Sequence, residues 1–199
     1  DLLKKIRERL MARGIAVELR PSATGEETKI IVRRENAVKV EVNHVFRGSI
    51  LPVVRSRLVP EARSLFTMDI ELPTLARSEL YGSKLVAALD RQHPRDLFDV
   101  RGLYAATGLT PEIVECFVCY LAGHNRPVHE VLFSRETDIA EAFENEFQGM
   151  TRESVTLDEL LSIRRQLRLD LPKALLATHR NFLLSLVRGE PDWSLMSCP

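Results

Sequence analysis

The stretch Lys84-Leu-Val-Ala-Ala-Leu-Asp-Arg91-Gln-His-Pro-Arg95-Asp96-Leu-Phe-Asp99 concentrates the residues most able to do chemistry. Lys84 and Arg91 are seven positions apart, two helical turns, so a helix through them presents both cations on one face. Asp96 and Asp99 follow Pro94 and share a face at the start of a second helix, where the helix dipole favours carboxylates. A lysine that grips phosphate beside a carboxylate that accepts a hydroxyl proton is what phosphoryl or nucleotidyl transfer requires, because catalysis there is mostly positioning and charge neutralisation. The same spacing suits plainer roles, with Asp96 capping a helix and Arg95 in a surface ion pair. Upstream, Glu41 adds a further acid. A hard cation such as Mg²⁺ takes oxygen ligands and usually keeps one or two protein carboxylates. Glu41 could be one of them, or a cross-strand partner for an arginine such as Arg33.

These residues need a scaffold, and the periodicity supplies one. Leu2, Leu3, Ile6 and Leu10 have helical spacing, and Gly14 stops that helix. Ala16–Arg20, Lys29–Arg33 and Ala37–Asn43 read as strands, the last two forming an antiparallel hairpin through residues 34–36. In the third strand Val38, Val40 and Val42 fall on one face, and Lys39, Glu41 and Asn43 project together from the other. Residues 51–63, bracketed by Pro52 and Pro60, read as an irregular connection before a strand near Phe66–Leu72. After Pro73 the period becomes helical, with one helix ending near Arg91 before Pro94. The expected organisation is α+β: a sheet-rich segment over residues 1–73, a helical region over 74–190 and a tail over 191–199.

Composition narrows the class. The chain has 199 residues, 45% hydrophobic and 28% charged, with equal numbers of acidic and basic side chains. That is neither a disordered tail nor a membrane-spanning protein. Three cysteines are an odd number for a disulfide framework, and no leader is visible, so the expected location is cytoplasmic. The neutral total conceals polarity: residues 1–63 carry 14 Lys/Arg against 8 Asp/Glu, and residues 130–199 carry 8 against 12. Arg47, Arg55, Arg57 and Arg63 meet only Glu61 in their stretch and could contact a polyanion or simply line a solvated face.

Val38-Lys-Val-Glu41-Val-Asn-His44-Val-Phe-Arg47-Gly48, followed by Glu79-Leu-Tyr81-Gly82-Ser-Lys84 and the Arg91 to Asp99 motif, closely resembles the AbiEii/AbiGii-type nucleotidyltransferases, toxins of type IV toxin–antitoxin, abortive-infection systems. The resemblance runs from about residue 1 to 190. It implies a partial DNA polymerase-beta-like palm sheet with a helical C-terminal region. It also implies transfer of a nucleotide from an NTP, with Mg²⁺, onto an acceptor such as tRNA or another RNA, and a cognate antitoxin. By resemblance Glu41 matches the later palm carboxylate and a metal ligand, Lys84 the triphosphate-contacting lysine, and Asp96 the acid proposed as base. Arg91 and Arg95 belong to the nucleotide-binding motif, with Asp99, Lys39 and Asn43 in support. Family members carry a Gly-rich turn and an Arg-x-Ser-x-Asp-x-Asp segment upstream of the Glu41 position, and the chain starts at Asp1 without it. The expectation is therefore little or no transferase activity from these 199 residues alone, with a non-catalytic RNA- or antitoxin-binding module as the alternative.

Other motifs compete. Gly48-Ser49 followed by Asp69-Ile-Glu71 imitates a palm signature, although the order is reversed relative to Glu41, which favours Asp69 and Glu71 as solvated residues. Cys116 and Cys119 form a C-x-x-C inside the apolar stretch 113–121, which suggests buried helical thiols rather than zinc or redox chemistry, with His124 and His129 nearby. Glu136, Asp138, Glu141, Glu144 and Glu146 alternate with Ile139, Ala142, Phe143 and Phe147 as an amphipathic helix. Arg164, Arg165, Arg168 and Lys173 form a basic counterpart able to touch RNA.

Overall fold

A computed structural model describes residues 2–21, 27–33, 37–41 and 48–198. The chain divides into two compact units, residues 1–48 and 49–199, so the boundary expected at residue 73 falls inside the second.

In the first unit, helix α1 (Leu2–Met11) leads into strands β1 (Ala16–Pro21), β2 (Glu27–Arg33) and β3 (Ala37–Glu41). They form an antiparallel sheet of order β1-β2-β3. Its register sets Leu19, Ile30 and Val40 side by side, and likewise Val17, Val32 and Val38. This apolar face is the one that alternation predicts. Helix α1 packs on β1 and β2, and both Leu3 and Ile30 are buried. Val38 departs from expectation: it sits on an outer strand and is 57% exposed. Glu41 lies opposite Lys29. Arg33, the partner suggested for Glu41, pairs with Glu18 at 3.7 Å. Lys39 is exposed, while Asn43, His44 and Arg47 lie outside the described residues.

The second unit opens with a two-stranded ribbon, β4 (Val54–Arg57) against β5 (Glu71–Thr74), linked by α2 (Pro60–Phe66). The irregular connection expected over 51–63 is therefore replaced by a strand and the start of a helix, and the strand expected at 66–72 is shifted to 71–74. The physical reason is exposure: every residue of β4 and β5 is exposed, so neither strand carries the alternation that betrays a half-buried one. Pro73 is tolerated because both strands of a ribbon are edges. Pro60, read as a break, occupies the first turn of α2, where its missing N–H costs nothing.

Helices α3 (Arg77–Asp90), α4 (Pro94–Ala106), α5 (Pro111–Ala122), α6 (Val128–Leu132), α7 (Ala140–Glu146), α8 (Leu157–Ala174) and α9 (Ala177–Val187) follow. Leu85, Leu97, Leu103, Phe117, Leu160, Leu167 and Phe182 are fully buried and make one core. Helices α3 and α5 pack most intimately. Gly82 is the reason, since a β-carbon there would come within 2.7 Å of Cys116 Cβ and Phe117 N. The acidic helix is shorter than its charge pattern suggests: α7 begins at Ala140, and Glu136 and Asp138 precede it. Pro172 does not end α8, which continues to Ala174. No helix among the described residues is long and apolar enough to cross a membrane.

Candidate active site

Helix α3 ends at Asp90, and only three residues separate it from Pro94, which starts α4, so the two helices meet at a tight corner. His93 makes it possible. Its backbone is extended, as a residue before proline prefers, and its Nδ1 accepts a hydrogen bond from Arg95 N at 3.2 Å. His93 is thus the cap of α4, a role considered above for Asp96. With Nδ1 accepting, Nε2 carries the ring proton and faces Glu146 Oε2 at 3.2 Å. Arg95 reaches the same carboxylate at 3.7 Å, which is the surface ion pair expected for it.

Capping leaves Asp96 in the first turn of α4, where its charge suits the exposed amides of the helix start. Arg91 Nη2 donates to Asp96 Oδ1 at 2.6 Å. The Asp96 side chain is only 5% exposed, against 63% for Arg91. Its other oxygen, Oδ2, is buried without a hydrogen-bond partner. One turn on, Asp99 Oδ2 receives Lys84 Nζ at 2.7 Å, joining α4 to α3. Lys84, Arg91, His93, Arg95, Asp96 and Asp99 together line an open cleft of about 330 Å³. Of the expected site residues, the structure therefore brings together the five that lie between 84 and 99. Glu41 and Lys39 belong to the other unit.

The cleft is cationic on balance, yet its cations are already neutralised in pairs. Lys84–Asp99 and Arg95–Glu146 are both well exposed, and such pairs are worth about 0–1 kcal/mol each. An incoming polyanion can therefore exchange with the internal carboxylates at little cost. Asp96 is different: its carboxylate is buried, held by Arg91 at Oδ1 and left without a hydrogen-bond partner at Oδ2, which keeps acceptor capacity unused. Magnesium demands several oxygen donors. The cleft offers two carboxylates, Asp96 held by Arg91 and Asp99 held by Lys84, and no group of three His, Cys, Asp or Glu that could hold a metal gathers among the described residues. A magnesium ion here would take its other oxygen donors from phosphate and water.

Earlier on α3, Glu79 is fully buried and fully bonded. It accepts from Ile50 N at 2.7 Å, Leu51 N at 3.1 Å and Tyr120 Oη at 3.0 Å. Burial, and then the hydrogen bond to Glu79, pushes the Tyr120 hydroxyl up to about 12. Glu79 fastens the segment entering the unit to α3 and α5. Nothing in its spacing announced this.

The competing motifs resolve differently. Asp69 and Glu71 face Arg57 at 3.9 and 3.1 Å on the exposed ribbon, and Arg55 also reaches Glu71. Arg164, read as a contact for RNA, is buried and donates to Glu136, Gln92 and the Thr137 carbonyl. The C-x-x-C does not form a pair of its own: Cys119 Sγ lies 2.7 Å from Cys198 Sγ, and all three thiols are free. Burial pushes Cys116 up to about 11 and raises Cys119 and Cys198 as well, so the thiolates that metal binding or redox chemistry needs are disfavoured. His124 faces Asp90 rather than a cysteine.

The second unit thus presents a cationic cleft around a buried, half-bonded carboxylate. The sequence profile of the family described as "Nucleotidyl transferase AbiEii toxin, Type IV TA system" matches residues 1–198, and the chain belongs to that family. It is a nucleotidyltransferase toxin of a toxin–antitoxin system, and the family implies an antitoxin partner. No curated protein and no solved structure matches the chain significantly.

Proposed function

We propose that the cleft between α3 and α4 receives the triphosphate of an NTP and that Asp96 accepts the proton of an acceptor hydroxyl, at the end of a tRNA or another RNA in the cytoplasm. Asp96 carries this reading: its Oδ2 is buried and unpartnered while Arg91 fixes Oδ1. In the step, the hydroxyl oxygen bonds to the α-phosphorus, the bond from that phosphorus to the pyrophosphate oxygen breaks, and pyrophosphate departs with the bond's electron pair. The hydroxyl proton passes to Asp96 Oδ2. Lys84 and Arg95 turn from their carboxylate partners to the phosphate oxygens, Arg91 keeps Nη2 on Asp96 and offers its remaining N–H groups, and together they compensate the charge that leaves with pyrophosphate. No step is routed through a magnesium ion held by these residues.

Titration of the chain with NTPs, followed by calorimetry, tests the binding half. Wild type is expected to bind, Lys84→Ala to weaken binding at least tenfold, and Asp96→Asn to change it little. When the protein is expressed in cells, Asp96→Asn is expected to abolish both growth inhibition and incorporation of labelled nucleotide into RNA. The internal pairing of every cleft cation favours a second reading, a non-catalytic binding module. Undiminished growth inhibition by Asp96→Asn would select it.

A further inference from the structure

Gln92 stands between two residues of the cleft, Arg91 and His93, but is turned away from it. It follows the last turn of α3 with φ +52°, in the left-handed region where a glycine usually ends a helix. A glutamine there is strained. Its side chain is nonetheless almost completely buried, at 3% residue exposure, and both ends of its amide are used. Nε2 donates to the Arg135 carbonyl at 2.6 Å and approaches Ser134 Oγ at 3.4 Å. Oε1 accepts from Thr137 N and from Arg164 Nη1, both at 3.2 Å. Arg164 comes from α8 and is itself anchored by the Thr137 carbonyl at 2.7 Å and Glu136 at 3.1 Å.

Strain that the surrounding structure over-determines is retained where it serves a site. The left-handed residue sets the direction in which the chain leaves α3, and thereby the angle at which α4 departs. Upstream of the turn are Lys84 and Arg91, and downstream are the His93 cap, Asp96 and Asp99. The pairs Arg91–Asp96 and Lys84–Asp99 both bridge this corner. We infer that Gln92, held by Arg164 of α8, is a positioning residue: its buried amide locks the left-handed turn that aims Arg91 at Asp96 and keeps the phosphate-binding cations of α3 opposite the acids of α4. The functional meaning of that alignment rests on the proposed reading of the cleft, and the alignment itself does not.

The test uses the full chain and two readouts, affinity for inorganic tripolyphosphate by calorimetry and the guanidinium NMR signals of Arg91 without ligand. Gln92→Gly accepts the left-handed backbone without strain but loses the amide, and Gln92→Ala loses both. Both variants are expected to bind tripolyphosphate at least tenfold more weakly and to lose the slowly exchanging Arg91 signals that a fixed Asp96 partner gives. Arg164→Met is expected to weaken binding severalfold from outside the cleft. Leu171 of α8 is buried in the core, and Leu171→Ala is expected to lower stability while leaving affinity within twofold of wild type. Wild-type affinity and Arg91 signals in Gln92→Gly would overturn the inference, because the backbone alone would then set the corner. If wild type binds no tripolyphosphate, the reading of the cleft fails, and the Arg91 signals still decide: lost in both Gln92 variants they support positioning, and retained they refute it.

Discussion

Lys84 Nζ and Asp99 Oδ2 lie 2.7 Å apart, one on α3 and the other on α4, with more than a third of each side chain open to solvent. An ion pair so exposed contributes at most about 1 kcal/mol to stability, because water screens it and ordering two mobile side chains costs entropy. Lys84→Ala should therefore unfold in urea within about 1 kcal/mol of wild type. Its affinity for an NTP should fall at least tenfold. A large loss of stability with unchanged affinity would make the pair structural and remove Lys84 from the site.

Asp96 behaves in the opposite way. Its carboxylate is buried while its partner Arg91 reaches solvent, so neutralising it as Asp96→Asn strands no buried charge on the arginine. The variant keeps an oxygen for Arg91 and fits the same space, and its Tm should stay within a few degrees of wild type. What it loses is the capacity to take a proton. Growth inhibition by the expressed protein should disappear while NTP binding persists; loss of binding together with activity would instead give Asp96 a binding role.

The corner between α3 and α4 is legible in the sequence because its determinants are local. Seven-residue spacing puts Lys84 and Arg91 on one helix face, Pro94 restarts the helix, and Asp96 and Asp99 follow at fixed offsets. The ribbon of β4 and β5 is not legible, since strands exposed on both faces show no alternation for water to impose. Gln92 is hidden for another reason: a left-handed turn is advertised by glycine or asparagine, and glutamine adopts it only because Arg164, Arg135 and Thr137 close around the amide. Arg164 looks like surface charge in sequence for the same reason. Its carboxylate partner, Glu136, lies 28 residues away.

The C-terminal tail is held by an acid with a definite pH response. Glu115 receives His179 Nε2 at 2.6 Å, Cys198 N at 3.2 Å and the Ser197 amide. His179 Nδ1 accepts from Leu176 N, which leaves Nε2 as the donor. Burial alone would raise the Glu115 carboxyl, but the His179 hydrogen bond and the two tail amides outweigh it and hold the group below its ordinary 4.5. A depressed carboxyl contributes stability that is fully present above its unfolded value and is lost as pH falls through the folded one. Wild-type Tm should thus drop as pH falls from about 5 toward 3, and Glu115→Gln should flatten that part of the curve. Trp193, whose ring centroid lies 4.8 Å from that of Phe182, should report release of the tail as a fluorescence change over the same interval. A wild-type and Glu115→Gln profile of equal slope would remove Glu115 from the tail's attachment.

Gly82 sets how closely α3, which carries Lys84, approaches α5. A methyl group at this position would meet Cys116 Cβ and Phe117 N at 2.7 Å, and the second of these is backbone that no rotamer change can withdraw. Gly82→Ala also raises helix propensity, by up to about 1 kcal/mol at an exposed site. Overpacking a core costs about 1–3 kcal/mol, and here the clash is against a neighbouring helix rather than a flexible side-chain end. The overlap should win. Urea denaturation is expected to show a net loss of about 1–2 kcal/mol, the overpacking cost less the propensity gain. Because α3 must shift to relieve the clash while α4 stays packed on α8, Lys84 should lose register with Asp99, and NTP affinity should weaken together with stability. Cys116→Gly in the same chain opens the side-chain half of the clash and should restore part of both; a Gly82→Ala protein as stable as wild type would show that α3 and α5 do not approach at this glycine.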